Sequence, residues 1–234
     1  MNKIIVAIGG GSLADKTTAT IDKYLADLAK KRAGERRAVG VFIGTASHDS
    51  MPYFNTFRKT FTSDFNIKAD CVLSVYGEMN EEKIKSKFEK ADLIYIGGGD
   101  TLFMLDWWKQ KGIFDLVIDA YERGVIIAGL SAGAICWFKK MYTDSQFVNG
   151  KENYKYYICD GIGALDGLFC PHYNERVNDF DAEFATSQEK FAWAVEDDSA
   201  LVFIDGEYSH SIKTNGSSAY KLVKMDNSIQ KILL

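Results

Sequence analysis

The sequence predicts an α/β fold, with a mainly parallel sheet that carries helices on both faces. Short β-branched segments alternate with longer amphipathic stretches, which is the pattern of repeated strand–helix–strand units. Glycine-rich turns follow several predicted strands, and open parallel sheets bind ligands at the carboxyl ends of their strands. The 234 residues are 47% hydrophobic and contain no repeat or low-complexity stretch. We therefore expect a single domain over residues 1–234 with a large core.

The hydrophobic pattern defines the first half of the fold. Strands are predicted at residues 3–8, 38–43, 69–74, 93–96 and 125–128. Apolar residues at helical spacing predict helices at 17–32, 81–90, 101–111 and 113–123, the last two separated at Gly112.

The texture of the sequence changes after His172. Residues 174–191 are polar and predict a helix. The Asp205-Gly206 pair predicts the turn of a C-terminal β-hairpin, with strands at 200–204 and 208–212. A further strand pair is expected at 219–223 and 230–233.

Composition excludes several classes of function. The formal net charge of -4 gives no basic face for nucleic acid, and no run of apolar residues approaches the 18 needed to span a membrane. The N-terminal residues lack the pattern of a secretory leader. The four cysteines show no C-x-x-C spacing and read as reduced core thiols: Cys71, Cys136, Cys159 and Cys170. These features predict a cytoplasmic protein without nucleic-acid or membrane partners. The oligomeric state is not fixed by the sequence, and a monomer and a homodimer both stay open.

The segment Gly129-Leu130-Ser131-Ala132-Gly133 has the pattern of a nucleophile elbow. It lies between a predicted strand and a segment of helical pattern that begins near Ala132. Such a turn holds the serine in a strained conformation, with its hydroxyl clear of the sheet and the first helical N–H groups beside it. The alternative is a tight turn in which Ser131 merely caps a helix.

A second glycine-rich turn, Gly97-Gly98-Gly99-Asp100-Thr101, follows the strand at 93–96. If this strand neighbours the one that carries Ser131, the N–H groups of Gly99, with Gly98, and of Ala132 can converge on one oxyanion. A tight turn without a ligand is the alternative.

A nucleophilic serine needs a general base, and the chain has three histidines. His172 follows an apolar, strand-like run that ends in Pro171, so we expect it at a strand end, where a general base could act. His48 lies in a loop and His210 on a hairpin strand, and both are interpreted as surface residues. The three histidines lack the spacing of metal ligands, so neither a metal nor another cofactor is expected.

Spacing alone does not decide which carboxylate would orient the histidine. Glu196, Asp197 and Asp198 precede a late strand and could reach the same end of the sheet. Asp144 could approach instead from the segment after the elbow. Acidic turns are more often simply solvated.

Together these motifs resemble peptidase family S51, which contains peptidase E, an aspartyl dipeptidase, and cyanophycinase-like serine peptidases. The resemblance rests on residues 97–103 (GGGDTLF), residues 129–134 (GLSAGA) and Pro171-His172-Tyr173, in the family's order and approximate spacing. It implies a three-layer α/β fold like that of class I glutamine amidotransferases, which is flavodoxin-like.

The resemblance also implies site residues. Ser131 would be the nucleophile and His172 its base, with an oxyanion hole from the N–H groups of Gly99 and Ala132. The family's acid, usually a glutamate before a late strand, matches Asp197.

Two further acids remain candidates for that role: Glu196 is one residue away from the matched position, and Asp144 lies where peptidase E has an aspartate proposed to be functional.

The substrate is expected to be a small peptide, and a dipeptide is one candidate. Aspartyl dipeptidases use an arginine downstream of the histidine to hold the aspartyl side chain, but the matching residues 185–189 contain none. Arg176 and Asp100 are the candidate substrate-binding residues, and strict Asp-Xaa specificity is not expected.

Two competing functions remain. The segment Ile8-Gly9-Gly10-Gly11-Ser12-Leu13-Ala14 loosely fits the G-x-G-x-x-A pattern of a nucleotide-binding loop, although Asp49 lies too far along the chain to be its acidic partner. The chain could also bind a peptide or small ligand at its glycine-rich turns without hydrolysing it.

Overall fold

The structure, a computed structural model that describes residues 2–77, 79–145, 155–226 and 228–234, contains two β-sheets and the helices packed on them. The strands are β1 (Ile4–Ile8), β2 (Val39–Ile43), β3 (Lys68–Val72), β4 (Leu93–Ile96), β5 (Ile126–Leu130), β6 (Phe138–Thr143), β7 (Tyr157–Asp160), β8 (Leu165–Cys170), β9 (Phe191–Val195), β10 (Ser199–Ile204), β11 (Glu207–Lys213), β12 (Ala219–Met225) and β13 (Ser228–Leu233). The α-helices are α1 (Ala19–Ala33), α2 (Met51–Lys59), α3 (Glu81–Lys90), α4 (Thr101–Gln110), α5 (Ile113–Glu122), α6 (Ala132–Ile135) and α7 (Tyr173–Thr186).

The first sheet has seven strands in the order β11-β10-β1-β5-β4-β2-β3. Its five central and outer strands from β1 to β3 are parallel, and β10 and β11 join antiparallel at the other edge. The strand that precedes the elbow, β5, pairs with both β1 and β4. The carboxyl ends of these three strands therefore meet at one edge, which is where an open parallel sheet binds ligands.

Both faces of the first sheet are buried. In β1, Ile5 and Ala7 belong to the core cluster that includes α3, α4 and α5, whereas Val6 and Ile8 pack with α1. Burial on both faces explains why these parallel strands read as continuous apolar runs rather than as alternating patterns. The predicted α/β fold with helices on both faces of a mainly parallel sheet is confirmed.

The second sheet has the order β13-β12-β9-β8-β6-β7, with β6, β8 and β9 parallel and the other pairs antiparallel. Helix α7 packs on it through Phe180 and Phe184. Aromatic rings join the two sheets, because Phe138 and Trp193 each lie 5.4 Å from Phe203 of β10 between ring centroids.

This second sheet departs from the sequence prediction. The helix after the elbow is a single turn, α6, which leads directly into β6, and the predicted helix at 174–191 ends at Thr186 before β9 begins. The β9 segment is a continuous apolar run of five residues, which periodicity alone does not distinguish from a buried helical segment.

Candidate active site

Ser131 occupies a sharp turn between β5 and α6. Its backbone has φ 51° and ψ -108°, a region that a non-glycine residue rarely adopts, and its N–H donates to the carbonyl of Ile8 at 3.0 Å. A Cβ on Gly129 would overlap the Gly133 backbone, and one on Gly133 would overlap the carbonyl of Ile96. The two glycines thus leave the room that the strained turn requires.

His172 follows β8 and is the N-cap residue of α7. Its backbone is left-handed, with φ 50° and ψ 39°, and its N–H donates to the carbonyl of Gly9 at 3.1 Å. The imidazole Nε2 lies 2.9 Å from the Ser131 hydroxyl. This contact crosses from the second sheet to the first.

The other imidazole nitrogen faces Asp197, in the turn between β9 and β10. His172 Nδ1 lies 2.6 Å from Asp197 Oδ1, and both side chains are about one quarter exposed. This hydrogen bond is the main cause that lowers the pKa of the Asp197 carboxyl, against the opposing effect of its partial burial. A hydroxyl, an imidazole and a carboxylate in this order can move a proton from the hydroxyl to the imidazole.

The other two candidate acids have different partners. Glu196 Oε2 accepts from the backbone N–H of Ser218 at 2.8 Å. Asp144 Oδ2 accepts from Arg176 Nη2 at 3.2 Å. Asp197 rather than either of these acids therefore contacts His172.

Gly10 is a residue of the site that the sequence reasoning assigned elsewhere. A Cβ at this position would overlap both the Asp197 carboxylate and the His172 ring, so the glycine lets the two side chains lie directly against its backbone. Next to it, a Cβ on Gly9 would overlap the carbonyl of Glu196. The triple-glycine loop that fitted a nucleotide-binding pattern is thus covered by residues 195–198 of the same chain.

The turn after β4 approaches Ser131 from the other side. A Cβ on Gly98 would lie 3.5 Å from that of Ser131, and Gly99 has φ 137° and packs on the carbonyl of Ala46. Within the part of the chain that the structure describes, the N–H groups of Gly99 and Ala132 have no protein acceptor. Gly98 differs, because its backbone forms a hydrogen bond with the Tyr53 hydroxyl. Burial raises the pKa of Tyr53 to about 12.

Asp100 belongs to the same turn, and its side chain lies inside the protein. Its Oδ1 accepts from the N–H of Phe103 at 3.1 Å and so caps α4, and the side chain is fully buried. Its backbone N–H donates to Ala46 at 2.8 Å. Asp100 therefore lies inside the turn and caps α4, and its role in substrate binding stays a prediction.

Arg176 lies one helical turn beyond His172 and is 6% exposed. Its guanidinium pairs with Asp144 and lies 4.6 Å from the centroid of the Tyr156 ring. The same charge contributes to the lowered pKa of Asp197. Arg176 thus belongs to the surroundings of the candidate site, with its charge already balanced by a carboxylate.

The remaining histidines have partners other than Ser131. His48 is exposed and packs on Phe103, with 4.3 Å between ring centroids, and His210 hydrogen-bonds to Ser209 on the hairpin. No cluster of potential metal ligands occurs among the described residues. The same residues include no helix that is long and apolar enough to cross a membrane.

Comparison with known proteins gives the family. The sequence profile of peptidase family S51 matches residues 5–211 of this chain. The chain belongs to peptidase family S51. The resemblance that the three motifs indicated is confirmed, and with it membership of a family of peptidases.

Sequence comparison matches this S51 chain to several curated relatives. The uncharacterized peptidase YgaJ of Bacillus subtilis (strain 168) is 32% identical over 241 residues, which cover 100% of this chain and 97% of that protein. Peptidase E of Salmonella newport (strain SL254) is 41% identical over 46 residues, 20% of each protein.

A solved structure shares the fold of this S51 protein. The crystal structure of a peptidase from an acI-B1 Actinobacterium superposes with a TM-score of 0.69 and 14% identity, over 99% of this chain and 94% of the other. At this identity the likeness concerns the fold alone.

Proposed function

We propose that this S51 protein is a serine-type peptidase that cleaves short peptides, with Ser131 as the nucleophile, His172 as the general base and Asp197 as the acid that orients it. The observation that carries the proposal is the contact of His172 on both sides, 2.9 Å to the Ser131 hydroxyl and 2.6 Å to the Asp197 carboxylate. This geometry is that of a nucleophile, a base and an orienting group.

The proposed reaction begins when His172 removes the proton of Ser131 as the hydroxyl oxygen attacks a peptide carbonyl. The developing oxyanion is stabilised by the N–H groups of Gly99 and Ala132, which no other group of the described chain uses. His172 then gives the proton to the leaving amine. Water, deprotonated by His172, hydrolyses the acyl-enzyme and restores the free serine.

The substrate preference follows from Arg176. A guanidinium selects a carboxylate through charge-assisted, often bidentate hydrogen bonds. Here that charge is nearly buried and already paired with Asp144. The proposed activity is therefore that of a peptidase or dipeptidase without strict preference for an N-terminal aspartate.

Labelling with a fluorophosphonate tests the function without knowledge of the natural substrate. The wild-type protein should be modified stoichiometrically, with the added mass on the peptide that contains Ser131. Ser131→Ala should abolish the labelling and the hydrolysis of a peptide library while leaving the unfolding midpoint unchanged. Ser209→Ala, which alters an exposed hairpin serine, is the matched control and should react like the wild type. Near-normal hydrolysis by Ser131→Ala would exclude the proposed nucleophile.

A further inference from the structure

Asn174 makes two hydrogen bonds to a single residue, Asp197. Its side-chain Nδ2 donates to Asp197 Oδ2 at 3.1 Å, and its Oδ1 accepts from the Asp197 backbone N–H at 2.9 Å. Asn174 lies in the first turn of α7, two residues beyond His172, and is exposed. One amide therefore holds both the carboxylate and the backbone of the residue that contacts the imidazole.

We propose that Asn174 is a positioning residue, which fixes the Asp197 carboxylate against His172 and so keeps Ser131 reactive. The inference rests on the proposed function of these three residues and adds a fourth to it. Among the described residues, the hydrogen bonds of Asn174 go to Asp197 and not to the Ser131 hydroxyl or the His172 imidazole, so Asn174 acts through Asp197.

Asp197 needs such a support because of where it lies. It belongs to a short turn between β9 and β10, and the next residue, Asp198, has a left-handed φ of 60°. The terminal torsion of an aspartate is broad, so a carboxylate held only through Oδ1 can rotate. A donor on Oδ2 and an anchor on the backbone N–H together remove that freedom.

The arrangement also links the base and the acid mechanically. His172 and Asn174 both lie at the N-terminus of α7, so any shift of this helix moves the imidazole and the amide that holds Asp197 together. Electrostatics act in the same sense. The charged and polar groups that stabilise the ionised Asp197 carboxylate are His172 first, then Asn174, with Arg176 as the more distant cation.

Three variants separate this role from a general effect on the helix. Asn174→Ala removes both hydrogen bonds. Asn174→Asp keeps an acceptor for the Asp197 N–H, loses the donor to the carboxylate and adds a negative charge. Asn178→Ala is the matched control, since it removes an exposed asparagine one turn further along the same helix.

The measurement is the second-order rate of fluorophosphonate reaction at Ser131 from pH 5 to 9, with the unfolding midpoint of each variant. We expect Asn174→Ala to react roughly 10- to 100-fold more slowly. This is the effect expected from the loss of the hydrogen bond to the charged Asp197 carboxylate. The acid limb of its rate profile should move to lower pH, because a carboxylate that can rotate away from His172 stabilises the protonated imidazole less. Asn174→Asp should move the acid limb to higher pH, because it adds a negative charge beside the imidazole, and Asn178→Ala should match the wild type.

The outcomes distinguish this inference from the function on which it rests. A wild-type protein that is not labelled at Ser131 refutes both. If the wild type is labelled and Asn174→Ala keeps its rate and acid limb, only the inference is refuted. A slower reaction with an unchanged acid limb and a lower unfolding midpoint also refutes it, because that combination is the mark of a purely structural residue.

Discussion

The 2.6 Å contact between His172 Nδ1 and Asp197 Oδ1 lies directly against the backbone of Gly10, at the junction of the two sheets. Gly10 follows β1 of the first sheet, His172 follows β8 of the second, and Asp197 lies in the turn that leads from the second sheet back to the first. The candidate site is therefore a product of the packing between sheets rather than of either sheet alone.

Asp197→Asn tests the orienting carboxylate. An amide in place of the carboxylate can donate to His172 Nδ1, which favours the tautomer with the proton on Nε2 and prevents that nitrogen from accepting the serine proton. We expect the turnover to fall on the order of 10⁴-fold. Glu196→Gln is the control, because Glu196 contacts the Ser218 backbone and should leave turnover within a few-fold of wild type. Steady-state kinetics on any cleaved peptide measures the turnover of both variants. Equal losses of turnover in the two variants would contradict the assignment of Asp197.

Gly10→Ala tests the packing of the pair on the loop. The backbone of Gly10 does not need a positive φ, and the atoms nearest to an added methyl belong to the Asp197 carboxylate and the His172 ring. Displacing these groups by about 1 Å should cost ~100-fold or more in the rate of Ser131 labelling. Gly40→Ala is the control, because its methyl would lie against the side chains of Ile67 and Phe57 in the core. It should lower stability but leave the rate of Ser131 labelling per folded molecule unchanged. An unchanged rate in Gly10→Ala would show that the pair is not confined as described.

A panel of dipeptides tests the role of Arg176. Because Asp144 balances its charge, we expect kcat/KM for Asp-Leu within about 10-fold of that for Ala-Leu. Asp144→Asn leaves the buried guanidinium without its carboxylate and should raise the relative preference for Asp-Leu. Asp160→Asn, which breaks an exposed pair with Lys140, is the control and should leave the preference unchanged. Tight Asp-Xaa selectivity of the wild type would refute the prediction.

Asp22→Asn tests a buried carboxyl on α1. Burial raises the pKa of Asp22 from 3.8 to about 7, with an opposing hydrogen bond from Thr18. The folded state therefore binds the proton more tightly than the unfolded state, so the free energy of unfolding falls as pH rises between about 4 and 7. The asparagine variant has no carboxyl at this position and does not lose stability in this way. The free energy of unfolding of the variant relative to wild type should therefore rise with pH, by ~4 kcal/mol at most above pH 7.

Urea unfolding at pH 4, 6 and 8 measures this difference. Asp27→Asn is the control on the same helix, since Asp27 forms an exposed pair with Lys23 and the effect of the substitution should depend little on pH. An Asp22→Asn effect of the same size at all three pH values would contradict the linkage.

Local chemistry made part of the site predictable from the sequence. The glycines around Ser131 mark a turn that tolerates no side chains, and the proline before His172 marks a strand end, so each residue could be placed at the end of a strand. That the two strands belong to different sheets could not be read from these motifs. The first sheet was equally readable, because strands such as β1 are buried on both faces and leave an apolar signature.

Other parts depend on long-range packing that a single sequence does not display. Three consecutive acids, Glu196 to Asp198, are chemically interchangeable until the turn around them is known. Gly10 fits a phosphate loop as well as a close approach of two side chains. Asn174 reads as a solvated helix residue, and only the register of α7 against the β9–β10 turn reveals its two bonds.

The order in which the chain supplies these groups has a consequence for biosynthesis. The Ser131 hydroxyl is made 41 residues before the His172 imidazole, and the Asp197 carboxylate comes later still, on the segment that returns to the first sheet. A nascent chain that ends before this return carries a serine with no means of activation. On the proposed function, hydrolytic competence thus emerges only after the segment that carries Asp197 has been synthesised and the two sheets have docked.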